Sequence, residues 1–264
     1  MIEKMRKKTL NTVTVFCAAV VFVLACSVQA TPLGTVDIAY SGLGAADVLE
    51  VWGGDRNGVY GYGGVYMFNK TAGTGQGGYW PNGPTGGFCM DLPEDVSSGT
   101  LTYDVVMPAE GPVPTSFLSG PMGTVKAGYL GELWHEHFDP AWIGSGTFNA
   151  DQKSKAEAFS AAVWEIIYEA LPATPSLWDV TTDGTDGALG FRSTEVDAAT
   201  ANSWLHALDG LGHRTQLRAL VYNGKQDFLV AVPGVPEVPE PATVGLLGLG
   251  SLALFCTPGK RKKM

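Results

Sequence analysis

Between its two apolar ends the chain has a single cysteine. Cys17 and Cys26 lie in the apolar segment near the N-terminus and Cys256 in the one near the C-terminus, which leaves Cys89 alone among 4 cysteines. One thiol excludes an internal disulfide, so packing must hold the middle of the chain together. Basic residues are scarce too. Of 17 Lys and Arg, eight sit at the ends (Lys4, Arg6, Lys7, Lys8, Lys260, Arg261, Lys262, Lys263); of 26 Asp and Glu, three do (Glu3, Glu237, Glu240). The remainder is 9 basic against 23 acidic residues, a net charge of −14. Such a surface repels nucleic acid and has no basic patch to offset the repulsion. It suits a soluble domain at a cell surface or in an extracellular matrix. Repeats of solenoid length are absent, as are a Gly-x-Ser-x-Gly elbow and a His-Glu-x-x-His zinc pair. No cofactor and no metal are expected.

The two ends carry transport signals. Residues 1–8 are basic, residues 13–25 are almost wholly apolar, and Val28-Gln29-Ala30 supplies small residues before a cut. That order predicts a secretory signal peptide over residues 1–30, handled by the secretion translocon. A rival cut before Cys26, in Val23-Leu24-Ala25-Cys26, would lipidate that cysteine, although Leu24 is bulky for a lipoprotein box.

At the other end, Val238, Pro239, Glu240 and Pro241 form a rigid turn. Proline fixes φ and lacks a donor, so this turn should be extended and accessible. An uncharged run follows, with Val244, Leu246, Leu247, Leu249, Leu252, Leu254 and Phe255 spaced by glycine and alanine. It predicts a close-packing membrane helix, short of the about 20 apolar residues of a full span. Lys260, Arg261, Lys262 and Lys263 would stay on the cytoplasmic side and place the rest of the chain outside. A permanent membrane anchor is the plain alternative. The three-part tail, residues 238–264, resembles the PEP-CTERM sorting signal of bacteria that export a polysaccharide matrix. The resemblance implies recognition by an exosortase, removal of the tail, and release or attachment of the ectodomain at the surface. The signals bracket an exported domain at residues 31–232, with residues 233–237 as a linker.

Within that domain the pattern is α+β. Residues 35–40, 47–52 and 59–68 alternate as strands with Gly-rich turns between them, and residues 71–87 read as a Gly/Pro/Asn loop. A short buried strand is expected at residues 87–92 and the clearest alternating one at 100–107. Helical spacing predicts helices over residues 126–138, 152–170 and 194–209, the last capped by Thr194. Strands 216–222 and 226–232 are joined by Asn223-Gly224, a strong hairpin turn. The expected architecture is a β-rich sandwich or barrel-like sheet with a small helical lobe formed by the second and third helices.

The pair Phe88-Cys89, followed by Phe159-Ser160-Ala161-Ala162-Val163-Trp164-Glu165-Ile166-Ile167-Tyr168 and by Ala201-Asn202-Ser203-Trp204-Leu205, resembles the thioester domain of bacterial surface adhesins. The resemblance implies a strand cysteine acylated by a glutamine side chain on the helix, four residues before its Trp, and capture of an amine on a host or matrix molecule. Here that position is Ser160, which has no amide carbonyl. Gln152 lies two helical turns earlier, about 12 Å away at 1.5 Å per residue. On this alignment Cys89, Ser160 and Trp164 mark a degenerate thioester site and Cys89 stays a free thiol.

Other constellations are weaker. His135 and His137 are two apart and face different sides of a helix. Asp183-Gly184-Thr185-Asp186-Gly187 lacks the twelve-residue calcium series and reads as a turn. Tyr60, Tyr62, Tyr66, Tyr79 and Trp80 could stack on sugar rings or pack in the core. The sequence thus predicts an exported, exosortase-sorted surface or matrix protein with a non-enzymatic adhesive role associated with exopolysaccharide. The alternatives are a covalent thioester adhesin, disfavoured by Ser160, and a carbohydrate-active enzyme, which would need a close pair of carboxylates in a cleft.

Overall fold

The alternating residues near the start of the domain build one long hairpin. A computed structural model describes residues 31–113, 121–182 and 190–234. The expected signal peptide, sorting motif, membrane helix, basic end and the turn at Asp183 lie outside the described residues. Strand β1, Gly34–Gly53, pairs with β2, Arg56–Gly75, from Gly34 opposite Gly75 to Gly53 opposite Arg56. The turns expected between separate strands at residues 41–46 are a correction. There the register shifts twice, between Tyr40 and Gly42 and between Leu43 and Ala46, so the strand bulges and bends without ending. Gly44 marks a close approach: a Cβ there would sit 2.5 Å from the Trp142 carbonyl oxygen.

The loop expected at residues 71–87 is shorter than predicted, because β2 runs on to Gly75 and β3 begins at Gly83. Strand β3 is Gly83–Cys89, β4 is Thr100–Val106, β5 is Arg192–Thr194, β6 is Leu217–Tyr222 and β7 is Lys225–Ala231. Each pairs antiparallel in the order β2-β3-β7-β6-β4-β1, and β1 returns to β2. The sheet therefore closes into a barrel, which removes the open edges of those strands. The short β5 adds to β1 at Glu50, Val51 and Trp52, outside the ring.

Side chains alternate across the strands and give the barrel two apolar surfaces. Val36, Ile38, Phe68, Tyr103, Val105, Leu220, Phe228 and Val230 fill the inside, with Trp80 packed among them and donating its Nε1–H to the Ala231 carbonyl at 2.8 Å. Val65, Met67, Phe88, Ala219 and Leu229 belong to the second cluster, which the helices share. Helix α1 is Gly123–His137, α2 is Ala150–Tyr168 and α3 is Ala198–Ala207. The lobe holds three helices, since α1 packs on α2 as well as on α3.

Helix α2 is buried without interruption from Ala156 to Tyr168. Its start is fixed by a capping box in which Asn149 Oδ1 accepts from Gln152 N–H at 2.9 Å and Gln152 Oε1 accepts from Asn149 N–H at 3.1 Å. The cap of α3 is Asp197, whose Oδ1 accepts from Thr200 N–H at 3.0 Å; Thr194, expected in that role, belongs to β5. The chain is thus sheet-rich α+β, with α2 laid along β1 and β2.

Candidate functional site

Asn223-Gly224 turns the chain from β6 into β7, with Gly224 at φ 76, and this turn decides what meets Cys89. Strand β7 runs beside β3, with Cys89 opposite Phe228. Strand alternation puts Gln226, two residues before Phe228, on the same side as Cys89. Its Nε2 donates to Cys89 Sγ at 2.7 Å, and the Cys89 thiol donates to the Asp91 carbonyl at 3.0 Å. Cys89 is 2% and Gln226 6% exposed. The buried Trp164 indole N–H has no oxygen or nitrogen partner and turns to the same sulfur.

Burial pushes the Cys89 thiol well up, and the Asp91 carboxylate pushes it further, against hydrogen bonds from Trp164 and Gln226 that lower it. The sulfur is therefore a neutral thiol at neutral pH, and a neutral acyl derivative of it suits this desolvated place better than a thiolate does. Beneath it, Asp227 N–H donates to Asp91 Oδ1 at 3.0 Å. Burial raises Asp91 well above the carboxylate range, with the Asp227 charge next in importance. Asp227 is raised by burial to about 7 against hydrogen bonds from Val113 and Tyr222 that lower it. These two acids tie the hairpin, β3 and residue 113 together.

A cavity of about 120 Å³ opens over the Cys89–Gln226 pair. Tyr66, Trp164 and Leu92 form its inner walls; Tyr60, Tyr62, Arg56, Glu94 and Asp95 line it nearer the surface. Tyr168 accepts a hydrogen bond from Leu92 N–H at 2.7 Å and so fixes the wall. Arg56 reaches from the tip of the long hairpin and donates to the Leu92 carbonyl at 2.8 Å, the Pro93 carbonyl at 3.2 Å and Asp95 Oδ1 at 2.9 Å.

Of the positions the sequence marked, Cys89 and Trp164 meet. Ser160 does something else: its Oγ accepts from Gly64 N–H at 2.6 Å and so bonds α2 to β2. The amide at the sulfur comes from β7 and not from α2. Gln226, Glu94 and Arg56 escaped sequence reasoning. The one signal for Gln226 was its place just after the Asn-Gly turn. His135 lies beside His213, ring centroids 5.5 Å apart, whereas His137 stacks on Trp204 at 4.8 Å. Among the described residues, no group of three His, Cys, Asp or Glu is placed to hold a metal. Of the tyrosines and tryptophan offered for sugar stacking, Trp80 is core, while Tyr60, Tyr62 and Tyr79 are 59%, 53% and 50% exposed.

The end of the sequence carries a transport signal. Residues 237–261 match the PEP-CTERM protein-sorting motif. The chain carries an exosortase sorting signal. It is an exported protein, anchored in the membrane before exosortase processing. No curated protein and no solved structure matches it.

Proposed function

We propose that this PEP-CTERM protein is a covalent surface or matrix adhesin whose ectodomain holds an internal thioester between Cys89 and Gln226. The observation that carries the reading is the buried Gln226 amide 2.7 Å from the Cys89 sulfur. In the forming step, Sγ attacks the side-chain carbonyl carbon of Gln226, the C–N bond breaks, and the amide nitrogen leaves as ammonia with the thiol proton. In the capture step, an amine nitrogen attacks that carbonyl carbon, the C–S bond breaks, and Sγ regains a proton. The partner ends on Gln226 as an amide and Cys89 returns to a thiol. Each domain reacts once, so it is not an enzyme, and its partners lie in the cell's own exopolysaccharide matrix or on another surface. The absence of Gln at position 160 does not weigh against this reading, because the amide beside the sulfur belongs to β7 and not to α2.

The test is the intact mass of the exported, processed protein. A thioester lowers it by about 17 Da, the mass of ammonia, and methylamine restores the thiol and adds to Gln226. A full mass with no methylamine uptake would sink the covalent reading. It would favour a second one, in which the exposed Tyr60 and Tyr62 stack on polysaccharide and the domain scaffolds without bonding.

A further inference from the structure

Glu94 is the unexplained group at this site. It lines the cavity over Cys89 and Gln226, is half-buried, and its carboxylate makes no hydrogen bond or ion pair with any described residue. The backbone around it is held firmly. Arg56 grips the Leu92 and Pro93 carbonyls before it and the Asp95 carboxylate after it. Arg56 thus pairs with Asp95, lies 3.9 Å from Asp55 and fixes the loop, and no ion pair joins it to Glu94 among the described residues. The Glu94 charge also reaches the two buried acids, where it adds to the burial that raises Asp91 and Asp227. A part-exposed carboxylate at the outer part of a preformed cavity attracts a cation entering from solvent.

We propose that Glu94 binds the incoming ammonium and takes its proton as the nitrogen attacks the acyl carbon of Gln226. This rests on the thioester reading above. Amines of the lysine type are protonated at neutral pH, with an ordinary value of about 10.4, and an ammonium has no lone pair to attack with. Glu94 takes one proton from the ammonium. The nitrogen's lone pair forms the C–N bond, the C–S electron pair goes to Cys89 Sγ, and the second nitrogen proton passes to that sulfur. Glu94 then releases its proton to water. The ammonium is selected by charge, whether it comes from a lysine side chain or from an amino sugar. Asp95, already paired with Arg56, has no such part.

The experiment uses the full exported protein and three variants: Glu94→Gln, Glu94→Asp and, as a control away from the cavity, Asp104→Asn. Mass, methylamine uptake and hydroxylamine cleavage are followed in each. Hydroxylamine is neutral at pH 7 and needs no proton acceptor to become a nucleophile. The expected result is that Glu94→Gln keeps the mass deficit of about 17 Da, loses methylamine reactivity about 100-fold, and keeps hydroxylamine reactivity within a few-fold. Glu94→Asp should recover part of the rate, and Asp104→Asn, at an exposed acid of β4 that does not line the cavity, should leave the rate nearly unchanged. N-acetylated and free glucosamine, and a lysine peptide, then separate the two amine sources. Equal methylamine rates in Glu94→Gln and the parent overturn the assignment, as does a Glu94→Gln protein that no longer forms the bond. A parent with neither deficit nor uptake overturns the thioester reading itself, an outcome distinct from both.

Discussion

The side-chain amide of Gln226 donates to the sulfur of Cys89 across 2.7 Å, although 137 positions of chain separate them. The pair exists because the β6–β7 hairpin returns to β3, and the closed barrel holds β3 and β7 as neighbours. Neither side chain has room to swing out, since both are buried.

Removing either member should abolish the chemistry and leave the barrel. In Cys89→Ala and in Gln226→Ala the protein should show its full mass and take up no methylamine. Loss of the buried sulfur or amide should cost about 1–3 kcal/mol in urea unfolding. A variant that still incorporates methylamine at its remaining partner would contradict the assignment.

Ser160→Ala separates structure from chemistry. The hydroxyl satisfies the buried Gly64 N–H at 2.6 Å, and its loss leaves that donor without a partner. Stability should fall by about 1–3 kcal/mol, while the mass deficit and methylamine uptake persist. The urea midpoint and the intact mass, read on one sample, check both halves.

Trp164→Phe keeps the aromatic bulk and removes the N–H that faces the sulfur. On the thioester reading the N–H would steady negative charge on the departing sulfur, and a hydrogen bond to a charged group is worth about 1.5–3 kcal/mol. Methylamine reaction should slow at least about tenfold, with the thioester still formed. Single-turnover rates by mass spectrometry measure this. An unchanged rate would assign the indole to packing alone.

Glu157 on α2 should make stability depend on pH. Burial, then the charges of Asp47, Asp197 and Glu195, raise its carboxyl from 4.5 to about 8. The folded state therefore holds a proton that the unfolded chain gives up, and stability falls as pH rises through that interval. Glu157→Gln should gain on the parent steadily from pH 5 to pH 8 in urea unfolding. Parallel curves would show that Glu157 does not titrate in the fold.

How much of this was legible in the sequence depends on whether the signal was local. Alternation at residues 100–107, helical spacing at residues 152–170 and the Asn223-Gly224 turn are local, and each became the element expected. Gly42 and Gly44 misled because glycine serves two purposes. They read as turns but allow a bulge and the approach of Trp142 to a continuous strand. Closure of the barrel depends on β1 pairing with both β2 and β4, and strand patterning does not reveal partners. Gln226 was hidden for the same reason. The family resemblance places the amide on the helix four residues before Trp164, whereas the amide beside the sulfur comes from the far end of the domain. Glu94 carried no pattern at all, since its isolation follows from where Arg56 points.

Gln226 sits at the start of β7, the last strand among the described residues, and the sorting motif follows at residues 237–261. A captured molecule would hang from that strand, and where processing leaves the domain attached, the cell would hold the other end of the same short stretch. A pull on the captured molecule would then run along β7 to the processed end and bypass β1 to β6. The barrel would act as a housing beside the line of tension, and the tether would keep its grip even if the fold around it came apart.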